Sequence, residues 1–167
     1  MVTMKKIISI TLLLVTLLIN AQEKKIWAKS YLNKKAPTLV VEEWISEKPN
    51  TKGKFILVDF WATWCGPCRK AIPELNNFQK EFQENLIIIG ISDETKEKVA
   101  SFINPKIEYF SAIDTKRTLY NKYEIKGIPH CVLIDPKGIV RWEGFPFYDN
   151  FELTSKVIED IITKYKK

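Results

Sequence analysis

A near-continuous apolar run, Phe55-Ile56-Leu57-Val58-Asp59-Phe60, leads within five residues into Cys65-Gly66-Pro67-Cys68. A periodic stretch with Ile72, Leu75, Phe78 and Phe82 at helical spacing follows. The run reads as a central parallel strand, buried on both faces. Pro67 suits the first turn of a helix, where a missing N–H costs nothing, and the spacing predicts that helix over Pro67–Glu84 with Pro73 kinking it. The chain must therefore build a sheet that delivers a dithiol to the start of a helix. A Cys-x-x-Cys in that place can open and close a disulfide.

The rest of the chain continues the alternation of strand and helix. Thr38–Trp44 reads as a short extended segment and Leu86–Ile91 as a second central strand. Ser92 or Asp93 caps a helix to about residue 103, Ile107–Ile113 is a third strand, and Asp114 caps a short helix to about Tyr123. Cys131–Ile134 and Ile139–Trp142 form a hairpin around Asp135-Pro136-Lys137-Gly138. Asn150 caps a last helix with Leu153, Val157, Ile158, Ile161, Ile162 and Tyr165 on one face. The polar stretch 22–36 reads as a loose lead-in. The expected fold class is α/β, one domain over 22–167 with a mixed central sheet and helices on both faces.

Lys5 and Lys6 followed by the apolar stretch Ile7–Ile19 and by Ala21 predict a signal peptide over 1–21. The stretch is short for a membrane span, and an uncleaved anchor is the alternative. No cysteine follows it, which argues against a lipid anchor. The mature domain is expected outside the cytoplasm, touching the membrane only if the signal stays. Of the 26 basic and 20 acidic residues, Lys5 and Lys6 leave with the signal, so the net charge falls from +6 to 24 − 20 = +4. These charges are scattered, which argues against a nucleic-acid partner. Three cysteines are too few for a disulfide scaffold, so the pair reads as catalytic. Zinc wants four ligands, and only Cys131 and His130 stand beside the pair, so no metal is expected.

The physical reasons for thiol chemistry are local. Cys65 falls at the N-cap region, where unpaired amides and the helix dipole favour a thiolate, the form that attacks. Cys68 lies one turn deeper and is placed to resolve a mixed disulfide. Gly66 leaves room for an approaching chain and Pro67 stiffens the turn. Asp59 points to the interior by alternation, where burial raises a carboxyl toward the range of a general base. Trp61 reads as core and Trp64 as an apolar platform for substrate. His130 reads either as a residue near the site that tunes it or as a hydrogen-bonded loop residue, and Cys131 as a small core residue.

The run Val58-Asp59-Phe60-Trp61-Ala62-Thr63-Trp64-Cys65-Gly66-Pro67-Cys68 resembles the active-site strand and turn of thioredoxin, and Gly127-Ile128-Pro129 resembles that family's cis-proline loop. The longer stretch between Cys68 and Pro129, with room for an added strand–helix unit, makes residues 36–165 similar to exported thioredoxin-like reductases of the TlpA and ResA kind. The resemblance implies a thioredoxin fold and a thiol–disulfide oxidoreductase needing no cofactor beyond the Cys65–Cys68 disulfide. It implies that Pro129 is cis and packs on the disulfide, that Ile128 pairs with the substrate chain, and that Asp59 is the base for Cys68. The Gly-Pro dipeptide resembles reducing members. Protein disulfides are then the substrates, in cytochrome c maturation or thiol maintenance of exported proteins. A membrane thiol-reductant transporter recharges the enzyme, which is expected to be a monomer in the periplasm or another extracytoplasmic space. Two departures stand out. The strand Leu86–Ile91 lacks the lysine that thioredoxin places near its buried acid, and Ala71 stands where ResA-type enzymes carry a glutamate. Asp59 is thus the sole acid candidate and, on this reading, has no partner. A Cu(I) chaperone or sensor using Cys65, Cys68 and His130 is the alternative function. A peroxide scavenger would carry a different cysteine signature in its first helix.

Overall fold

The computed structural model describes residues 26–147 and 152–166. The expected signal segment 1–21 and the expected cap Asn150 lie outside the described residues. The elements in chain order are β1 (Glu43–Trp44), β2 (Phe55–Trp61), α1 (Gly66–Glu81), β3 (Leu86–Ser92), α2 (Lys96–Ala100), β4 (Phe110–Ile113), α3 (Thr118–Lys122), β5 (His130–Ile134), β6 (Val140–Gly144) and α4 (Ser155–Tyr165). The six strands form one sheet in the order β1-β4-β3-β2-β5-β6. β2 pairs parallel with β3, and β3 with β4, while β1, β5 and β6 join antiparallel. This is the mixed sheet of a thioredoxin-like fold. Among the described residues no helix is long and apolar enough to cross a membrane.

Alternation along β2 divides its side chains between two cores. Leu57 and Trp61 join the core under α1, α2 and α4, with Ile72, Leu75, Phe78, Val99, Ile158 and Ile162. Val58 and Phe60 face the opposite core under α3, with Ile89, Ile91, Leu119, Tyr120 and Val132. α1 runs through Pro73 without a break. The apolar face expected for the last helix forms as read: Leu153, Ile158 and Ile162 are buried and Val157, Ile161 and Tyr165 pack against them.

The differences from the sequence reading have local causes. The helix after β3 is capped by Thr95, whose hydroxyl accepts from Lys98 N–H. Ser92 instead accepts from Glu94 N–H at 3.2 Å, and the helix ends before Ile103, which is 80% exposed. The third strand starts at Phe110, not at Ile107. Asn76 on α1 takes the backbone there, donating to Lys106 O at 2.9 Å and accepting from Glu108 N–H at 2.8 Å. Those groups are then unavailable for sheet pairing. Asp114 does hold the start of α3, accepting from Thr118 and Leu119 N–H at 2.8 and 2.7 Å, but Arg117 at φ 55° intervenes. Thr154 caps α4.

The described part of the lead-in is not loose. Lys29 N–H bonds Tyr123 O at 2.8 Å, Lys126 N–H bonds Trp27 O at 2.7 Å, and Asn33 N–H bonds Val140 O at 2.9 Å. The buried Glu143 carboxylate accepts from Tyr31 N–H at 2.9 Å and from Ser30 Oγ. Backbone amides make most of these bonds, so the polar composition gave no sign of them.

Candidate active site

β2 and α1 are joined by Ala62-Thr63-Trp64-Cys65, and this turn delivers the dithiol. Cys65 is the N-cap of α1 in extended conformation, and its Sγ accepts Cys68 N–H at 3.2 Å. Cys65 and Cys68 are joined in a disulfide with Cα atoms 5.2 Å apart. Both are buried, at 4% and 1% exposure, while Trp64 beside them is 68% exposed and Gly66 and Pro67 are exposed. A side chain at Gly66 would meet nothing within 4 Å, so the turn is open to an approaching chain. Pro67 lies in the first turn of α1.

Glu94, which the sequence reading passed over, anchors this turn. Thr63 N–H donates to Glu94 Oε2 at 2.5 Å and Thr63 Oγ1 to Oε1 at 2.9 Å. Burial pushes the Glu94 carboxyl up, but the bonds from Lys98 and Thr63 outweigh that and hold it below its ordinary value. It therefore grips the turn as an anion, and charge-assisted bonds of this kind are the stronger ones. Ser-Asp-Glu after a strand reads as a capping sequence, and nothing in it reveals that the glutamate reaches back 31 residues.

Asp59 sits in mid-sheet at 1% exposure, on the face that holds the dithiol core. Burial raises its carboxyl to about 7, even though hydrogen bonds from Cys131 and Tyr109 pull the other way. Its expected isolation is corrected here. Cys131 Sγ donates to Oδ1 at 3.4 Å and Tyr109 hydroxyl to Oδ2 at 3.3 Å. Burial pushes the Cys131 thiol and the Tyr109 phenol well above their ordinary ranges, so both remain protonated donors.

The Ile128–Pro129 bond is cis. The loop lies at the same end of the sheet as the dithiol, because His130 at the start of β5 pairs with Phe60 at the end of β2. Pro129 is buried and Ile128 half-buried between the two cores. Gly127 makes room for Trp27: a side chain there would come within 2.6 Å of its ring. Ile128 and Trp64 share a cleft of about 330 Å³ with Gly127, Ile125, Tyr120 and Arg117. The structure thus brings two of the predicted substrate contacts together. Arg117 in its wall pairs with Asp93 and lies 4.7 Å over the Tyr120 ring.

His130 is placed differently from the other predicted residues. It is buried in β5, next to Cys131, and alternation turns it to the other face of the sheet. Its ring lies against Phe60 at 6.3 Å and Phe145 at 6.4 Å. Among the described residues no group of three His, Cys, Asp or Glu stands close enough to hold a metal ion, so the copper reading lacks its third ligand at this place.

The chain is similar to known proteins along most of its length. The AhpC/TSA family model matches residues 32–143. The thiol-disulfide oxidoreductase ResA of Bacillus thuringiensis (strain Al Hakam) is 33% identical over 118 residues, 67% of this chain and 68% of that protein. The thioredoxin-like protein YneN of Bacillus subtilis (strain 168) is 28% identical over 100 residues, 58% of this chain and 59% of that one. Against YneN the match thus spans about three-fifths of the relative. A crystal structure assigned as a thiol:disulfide interchange protein DsbE from Chlorobium tepidum superposes with a TM-score of 0.58 at 25% identity, covering 70% of this chain and 83% of that one. The dithiol turn between β2 and α1 falls inside the family match, and with it the chain belongs to the AhpC/TSA family, among its thioredoxin-like thiol–disulfide oxidoreductases.

Proposed function

We propose that the protein is an exported reductase of protein disulfides that cycles between the Cys65–Cys68 disulfide and the dithiol. The observation that carries this reading is the Cys65 sulfur at the N-cap of α1, accepting the Cys68 amide at 3.2 Å. Once reduced, that sulfur becomes an anion favoured by the helix N-terminus. The Cys65 thiolate attacks one sulfur of a substrate disulfide, a mixed disulfide forms, and the other substrate sulfur leaves as a thiolate that takes a proton from solvent. Asp59 then takes the Cys68 proton, and Cys68 attacks Cys65. The bond to substrate breaks, the departing substrate sulfur leaves as a thiolate that takes a proton from solvent to complete the product dithiol, and the enzyme is left oxidised. Two electrons pass from the enzyme dithiol to the substrate.

On this reading the substrate chain lies over Trp64, Gly66 and Pro67 and pairs with the backbone at Ile128 beside Pro129. A signal over 1–21 carries the protein to the periplasm or an equivalent space. There a membrane thiol-reductant transporter restores the dithiol, and the cysteines of apocytochromes c before haem attachment are suitable substrates. Two measurements test the proposal. Cys68→Ser lacks the resolving thiol and should accumulate mixed disulfides with exported proteins, released by dithiothreitol. An absence of such adducts overturns the two-step scheme. The reduction potential of the pair should fall near that of thioredoxin, about −270 mV, whereas about −120 mV would make the protein an oxidant.

A further inference from the structure

Beside Asp59 the neighbouring strand carries no side chain. The register places Asp59 of β2 opposite Gly90 of β3. The vacant space is filled from another part of the chain: a methyl group at 90 would stand 3.0 Å from Tyr109 Cε2 and 3.1 Å from Trp61 Nε1. Tyr109 lies just before β4, on the stretch that Asn76 ties to α1. Its ring passes over Gly90 and its hydroxyl reaches Asp59 Oδ2 at 3.3 Å. On the opposite side Cys131, the register partner of Asp59 on β5, reaches Oδ1 at 3.4 Å. Each carboxyl oxygen thus has one neutral donor, and all three groups are at 5% exposure or less.

We infer that Tyr109 is the positioning residue for Asp59, its hydroxyl holding Oδ2 across the gap left by Gly90 and so tuning when that carboxyl gives up its proton. This rests on the reading of Asp59 as the base for Cys68. A donor bond to a carboxylate favours the charged form, while burial disfavours it. A cation beside Asp59 would pull the carboxyl far down and make it a poor base near neutral pH. A phenol opposes burial more gently and leaves the group titrating close to neutrality. The titratable groups against Asp59 are Cys131 from β5 and Tyr109 from the stretch before β4, and the Cys65–Cys68 pair belongs to the core on the same side of the sheet. Tyr120 from α3 feels its charge, and β3 offers only Gly90.

Tyr109→Phe keeps the ring over Gly90 and removes only the O–H. The test follows the rate at which Cys68 resolves a preformed mixed disulfide, in the full chain, from pH 5 to 10. Tyr109→Phe should move the midpoint up by about one unit, slowing resolution about five-fold at pH 7 and leaving it unchanged at pH 9.5. The infrared carboxyl band of Asp59 should shift its titration by the same amount, with no turnover required. An unmoved midpoint, or a uniform loss at every pH, overturns the assignment. Asp59→Asn separates the two levels. If it keeps the wild-type midpoint, the base reading itself fails, and Tyr109 falls with it. If it abolishes the midpoint while Tyr109→Phe leaves it in place, only the role of Tyr109 fails.

Discussion

Cys65→Ser should abolish disulfide reduction, with an expected loss of at least about a thousand-fold in an insulin-disulfide assay driven by dithiothreitol. The reason is chemical and leaves the fold in place. Cys65 caps α1, and its sulfur accepts the Cys68 amide at 3.2 Å. Serine is among the best N-cap residues, so its oxygen keeps that bond. A hydroxyl is not ionised at neutral pH even with the helix dipole behind it, so the nucleophile is lost while the cap remains. The missing disulfide closes only a short loop, sequence separation 3, and its removal costs about 2 kcal/mol by chain entropy. Comparison with the reduced wild-type protein removes even that difference, and the two should melt together. A variant that folds and keeps more than a tenth of the activity would place the attack on another sulfur.

How far the sequence carries the argument depends on the range of the interaction. Strand β2, the dithiol turn and α1 are contiguous, and local rules found them: an apolar run, an N-cap position, a proline in the first turn. The interior position of Asp59 followed from alternation alone. Its partners did not, because both come from distant parts of the chain. Cys131 meets Asp59 through the antiparallel register of β5 with β2, which no local pattern announces. Tyr109 needs three separate features at once: the missing side chain at Gly90, the delayed start of β4, and Asn76 holding the stretch before it. Glu94 drew no reading beside the cap candidates Ser92 and Asp93, yet it secures Thr63 from 31 residues away. The misreading of the lead-in has a different origin, since backbone amides hold it and residue types do not reveal which amides will pair. For His130 the information was present: a residue adjacent to an inward Cys131 in a strand must face the other way.

Asp59→Asn should make the protein more stable above neutrality and less capable. The folded carboxyl titrates at about 7 against 3.8 for the unfolded group, because burial disfavours its charge more than Tyr109 and Cys131 favour it. Between those two values the folded state holds a proton that the unfolded chain has released. The contribution of Asp59 to stability therefore declines as pH rises from about 4 to about 7 and is flat beyond. The whole span amounts to about 4 kcal/mol at most, at 1.36 kcal/mol per unit. Asparagine fills nearly the same volume and cannot ionise. Denaturant titrations of the oxidised proteins should show variant and wild type alike at pH 4 and diverging to pH 8, with the variant ahead by a few kcal/mol. Parallel curves across that range would mean that Asp59 carries no suppressed charge, and the case for it as a base would go with it. The same substitution should slow the resolving step by about two orders of magnitude at neutral pH, the low end of what a general base contributes. Both outcomes together would mean that Asp59 is held in the core by its function and not by its packing.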